Sequence, residues 1–63
     1  MKVFRAGDLV RCYRTGELAL LLGFKTLGEG DYARTCLEIM WTTTGNIEVK
    51  SMTLFTVIKE NGI

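Results

Sequence analysis

The sequence predicts an all-β domain, a small barrel of five strands with a short 3-10 turn before the last strand. Three observations carry this expectation. Five short apolar segments follow one another along a chain of 63 residues. Turn signals built on glycine, serine or threonine separate them, and no proline interrupts any of them. Residues 9–13 and 47–50 alternate with the period of two that half-buried strands show.

The first segment, LVRCY, follows the turn pair Gly7-Asp8. Its alternation places Val10 and Cys12 on the inner face and Arg11 and Tyr13 on the other. The second segment, ELALLLGFKTL, is ambiguous. Leu18, Leu21 and Leu22 recur at helical spacing, and leucine and alanine favour helix. Gly23 in its middle and the β-character on either side favour a long strand instead. As a strand it carries Leu18, Leu20, Leu22 and Phe24 on one face, with Ala19, Leu21, Gly23 and Lys25 on the other. Gly23 then marks the bend that a small barrel needs to turn its corner.

LGEGD, residues 27–31, reads as a flexible loop. In the third segment, RTCLEIMWT, Leu37, Ile39 and Trp41 share a face. Glu38 fixes which face looks outward, because an unpaired carboxylate is costly to bury. Leu37 and Ile39 therefore belong to the core, with Trp41 at its end, while Met40 and Cys36 look outward. The turn TTTGN closes a hairpin, with Gly45 or Asn46 supplying positive φ. Ile47 and Val49 then share one face, Glu48 and Lys50 the other. SMTL suits a single tight helical turn. FTVI follows as the last strand, with Leu54 and Val57 in the core, and KENGI as a frayed tail.

Composition narrows the function classes. A chain of 63 residues is one domain, residues 1–63. A domain of that size hides only about 60% of its unfolded surface and usually needs a disulfide, a metal or a partner chain. No histidine and only two cysteines are present, so no metal site is expected. Residues 1–5 carry charge and no apolar stretch of signal-peptide type, so Cys12 and Cys36 are expected as free thiols in a cytoplasmic setting. Apolar residues make up 48% of the chain, more than a small barrel can hide. The surplus points to self-association, with a homo-oligomer as the expected state. The net charge of +1 gives no basic excess for nucleic acid. The longest apolar run, residues 18–22, is too short to span a bilayer, so no membrane partner is expected.

Taken together, "AGDLVRCY", the long second strand, "CLEIMWTTTGNIEV" and "SMTLFTVI" resemble an SH3-like barrel of the KOW or Tudor type. They are most similar to the small SH3-like proteins of tailed phages, over residues 6–58. The resemblance implies the five-stranded SH3-like fold and, if the chain is phage-encoded, the host cytoplasm as its place of action. It implies no particular activity, since this fold hosts many functions.

Chemistry in the sequence is sparse. Histidine, the commonest general base, is absent, and the carboxylates are scattered through turns and outward faces. An enzyme is not expected, nor is any cofactor. Two binding surfaces are candidates. Arg11, Tyr13 and Arg14 combine basic groups with an aromatic ring, a combination that can track a nucleic-acid backbone and stack bases. Leu21, Met40, Met52 and Phe55 are candidates for an apolar interface that binds a second copy or another protein. The second surface ranks first, because it draws on the apolar surplus and on unpaired strand edges.

Overall fold

A computed structural model describes residues 4–59. Five antiparallel strands form one sheet: β1 (Leu9–Cys12), β2 (Leu18–Leu27), β3 (Arg34–Trp41), β4 (Ile47–Ser51) and β5 (Phe55–Lys59). Their order across the sheet is β4-β3-β2-β1-β5, which leaves β4 and β5 at its two edges. A 3-10 turn, Met52–Leu54, precedes β5, as expected. The Ser51 hydroxyl caps it, accepting the Thr53 N–H. This all-β arrangement is compatible with a small SH3-like fold, although the barrel is not closed. The described residues contain no helix long and apolar enough to cross a membrane.

The ambiguous second segment is a ten-residue strand. Its pairing with β3 shifts between Leu21 and Gly23, so that Leu22 is an extra residue in the ladder. Such a bulge bends a strand, and it sits at the glycine that the sequence marks as the corner. LGEGD does not stay irregular: Gly30–Tyr32 forms a second 3-10 turn. Gly28 precedes it at φ +89°, and a β-carbon there would lie 2.6 Å from the Tyr32 carbonyl oxygen. At the other hairpin Gly45 supplies the positive φ, and its N–H closes the turn on the Trp41 carbonyl at 2.7 Å.

The core occupies one face of the curled sheet, here called inner. Val10, Cys12, Ala19, Leu21, Leu37, Ile39 and Phe55 form it. Cross-strand neighbours share a face, and the register makes the grouping explicit. Val10 opposes Ala19 and Val57, Leu21 opposes Ile39, and Cys12 opposes Phe55. The expectations for Val10, Cys12, Leu37 and Ile39 hold. Leu54 and Val57 are half-buried against the core, as is Phe4.

Four expectations need correction. Leu21 is fully buried and cannot serve a surface interface, because β3 sets the phase of β2 through the Leu21–Ile39 pair. Leu22, Phe24 and Leu27 are the exposed large apolar residues of that segment. Phe55 is buried too, placed inward by its pairing with Cys12. Met52 lies half-buried against the core rather than outside it. Cys36 keeps its outward parity, opposite Lys25 and Ser51, yet it is buried, because β3 has a neighbour on each side. Both cysteines are free. Met40 alone of the four interface candidates keeps its place on the outer face, half-buried. The expected frayed tail at residues 60–63 lies outside the described residues.

Asp8 departs from the reading of the carboxylates as surface charge. It is fully buried. Its carboxylate accepts the Arg5 N–H at 2.8 Å, and its main chain ties the turn to β2: the Leu21 N–H donates to the Asp8 carbonyl at 2.9 Å. Asp8 therefore fastens the start of β1 over the core.

Candidate functional site

Two features of the open sheet are free to meet another molecule: a groove on its inner side and the outer edge of β4. They share one strand, so its construction comes first. The β3–β4 ladder runs without a shift, pairing Leu37 with Lys50, Glu38 with Val49, Ile39 with Glu48 and Met40 with Ile47. Glu48 and Lys50 thus stand on the inner face, and Ile47 and Val49 on the outer. No residue of β4 is buried. It reaches past the core, and its inner face carries charge where β3 carries Leu37 and Ile39.

Those charges line the groove. It encloses about 580 Å³ and opens to solvent between β4, the β1–β2 turn and the 3-10 turn before β5. Cys12, Trp41 and Phe55 line it from the core side, and Arg14, Thr15, Glu17, Glu48 and Lys50 from the turn and strand. The Trp41 ring packs on Phe55, with centroids 5.8 Å apart and planes tilted by 41°. Its indole N–H donates to Glu48 Oε2 at 2.9 Å, and Lys50 Nζ lies 3.1 Å from Glu48 Oε1. The hydrogen bond from Lys50, followed by that from Trp41 and the charge of Lys50, holds the Glu48 carboxyl below the usual range. Trp41 is thus half core and half groove wall, and its polar atom is already engaged.

Cys12 sits at the inner end of the groove. Burial pushes its thiol up, but hydrogen bonds from the Thr15 side chain and from the Arg14 and Thr15 backbone, with the Arg14 charge, bring it below the ordinary cysteine value overall. The same turn is closed by the Gly16 N–H on the Cys12 carbonyl at 2.7 Å.

The outer face carries a different pattern. Register places Leu9 opposite Leu20, Leu20 opposite Met40, and Met40 opposite Ile47. This is one apolar row across four strands. Leu9, Leu20 and Met40 are half-buried, whereas Ile47 is 59% exposed at the end of the row. Val49 stands beside it, 38% exposed. No described strand pairs with the far side of β4.

The candidate nucleic-acid residues do not form one surface. Arg11 points outward between Leu18 and Thr56, Arg14 lines the groove, and Tyr13 is 66% exposed beyond the end of β1. All three are exposed. Arg11 within β1 and Arg14 at the groove thus fall on different faces. What the sequence reading missed is the row ending at Ile47. Its signal was present in the alternation of IEVK, but which half of that alternation faces outward depends on register across the hairpin.

No family model matches the chain, and neither does any curated protein or solved structure at a significant level.

Proposed function

We propose that this protein is a non-catalytic interaction module that binds a polypeptide along β4. One observation carries the reading: the apolar row Leu9–Leu20–Met40–Ile47 runs to an edge strand and stops there, with Ile47 exposed and no described strand beyond it. An edge of this kind offers unpaired backbone donors and acceptors beside apolar side chains, the combination used in strand addition. Of the devices that blunt an edge, β4 has neither proline nor a bulge; it has inward-pointing charges, Glu48 and Lys50. Its charged side chains both project on the groove side, leaving the outer side apolar. A tailed-phage origin and action in the host cytoplasm belong to the same reading and rest on the sequence resemblance.

The reading is tested by placing a photo-crosslinking amino acid at Ile47 in the cell that expresses the protein, with the same probe at Tyr32 as a control. Tyr32 is 84% exposed and lies in the 3-10 turn between β2 and β3. A discrete polypeptide adduct, identified by mass spectrometry and specific to position 47, is expected. Equal background labelling at both positions would remove the proposal.

A further inference from the structure

We infer that the polypeptide received by β4 is a second copy of β4, paired antiparallel about a twofold axis through Val49. The inference rests on the reading of β4 as a binding edge and adds the partner and the register. Two independent features of residues 47–51 select this arrangement, and a third is consistent with it.

The first is the direction of the backbone. The Trp41 N–H donates to the Asn46 carbonyl at 2.9 Å, which makes residues 41 and 46 a hydrogen-bonded pair. Bonded and non-bonded pairs alternate along an antiparallel ladder. With no register shift in this hairpin, Glu48 and Lys50 spend their backbone groups on β3. The N–H and C=O of Val49 then point away from β3, toward the free edge. Centred on Val49, two copies form reciprocal Val49 N–H to Val49 C=O bonds.

The second is charge. In IEVKS, reversal about Val49 exchanges Glu48 with Lys50. Each Glu48 then faces the partner's Lys50, twice over by symmetry. These are non-hydrogen-bonded positions, where side chains approach most closely. Moving the axis by one residue to Glu48 would set two carboxylates against each other. Moving it to a point between residues would place outward side chains of one copy opposite inward ones of the other. The sequence of β4 is therefore self-complementary in one register.

The third is continuity. With the axis at Val49, the outer faces of both copies lie on the same side. Val49 of one copy then meets Val49 of the other, with each Ile47 opposite the partner's Ser51 and diagonal to its Val49, so the outer apolar faces of the two sheets adjoin at the axis. Such a contact is isologous and closes on itself as a dimer. It also supplies a partner chain of the kind that small disulfide-free domains commonly use.

The test uses the purified full-length chain. Light scattering from micromolar to millimolar concentration is expected to show a concentration-dependent dimer. Val49→Lys sets two ammonium groups against each other at the axis and is expected to weaken the dimer at least about tenfold. Glu48→Lys and Lys50→Glu chains each place like charges across the axis, so each is expected to weaken its own dimer. An equimolar mixture of these two chains restores both opposite-charge contacts and is expected to form a heterodimer at wild-type concentration. Circular dichroism on each variant verifies that the fold is retained, and the mixing experiment decides the matter if Val49→Lys fails to fold. A wild-type chain that stays monomeric throughout overturns the inference. So does a folded Val49→Lys variant that dimerises like wild type, or a mixture that associates no better than its components. A monomeric chain that still crosslinks through position 47 to a different protein would overturn the second-copy partner and leave the binding edge standing.

Discussion

The two edge strands of this sheet have the same length and the same number of ladder partners, but they do different work. β5 opens with buried Phe55 and keeps Val57 against the core, so its removal would uncover Val10 and Cys12. β4 buries none of its five residues. Its hold on the molecule comes from its ladder with β3, the Gly45 turn and the Glu48 contact to Trp41. An edge that contributes apolar burial is needed for folding. An edge that contributes little, and presents Ile47 and Val49 to solvent, is available for something else.

That contrast can be broken by substitution. Phe55→Ala removes a buried ring and its packing on Trp41, and is expected to cost about 3–5 kcal/mol in denaturant unfolding. For a domain of this size that approaches the whole stability. An equal loss from Val49→Thr would erase the distinction between the edges; the expectation there is a change within about 0.5 kcal/mol, measured on the monomer at low concentration. Asp8→Ala falls between them. It strips a buried acceptor from the Arg5 N–H at the entry to β1, and a loss of about 1–3 kcal/mol is expected from the same measurement. A neutral Asp8→Ala would mean that the buried carboxylate fastens nothing.

The smallest expected effect sharpens the comparison from the β4 side. The Glu48 carboxyl is depressed by the Lys50 and Trp41 contacts, so folding favours its ionised form. That contribution is complete above the unfolded-state value and is lost as pH falls through the lower folded-state value. The emission of Trp41 should therefore change in this acid window while the far-ultraviolet dichroism of the sheet stays constant. Glu48→Gln should abolish the change. An identical titration in Glu48→Gln would show that the indole does not sense this carboxyl.

Much of this was legible from residue order. The five strands, the inner faces of β1 and β3, the Gly45 turn and the 3-10 turn before β5 all follow from alternation and turn chemistry. β2 was legible as a strand but not in phase. Residues 18–22 are apolar at both parities, so alternation carries no information there, and the Leu22 bulge then exchanges odd for even. Leu21 was placed outside for that reason. Phe55 was missed because a 3-10 turn separates it from the preceding strand and resets the count. Asp8 was missed because a carboxylate is tolerable in the interior when a main-chain N–H reaches it, and here the Arg5 N–H does so within a local turn that the residue types alone do not reveal. The free edge was anticipated as a class of feature. That it belongs to β4, with its charges inward and its valine outward, needed the register across the hairpin.

The bulge itself separates two properties of β2 that usually travel together. Leu21 opposes Ile39 and Gly23 opposes Glu38, so Leu22 is a residue the ladder does not count. Deleting it would leave every other β2 residue opposite its present neighbour, with inner and outer faces intact. Deleting any other single residue between positions 18 and 27 would invert one side of the strand unless the bulge moved to absorb it. What Leu22 supplies is shape: the curvature by which one strand serves both halves of the sheet. Along this strand, a change in chain length at one position alters geometry alone, while the same change one step away rewrites which side chains meet.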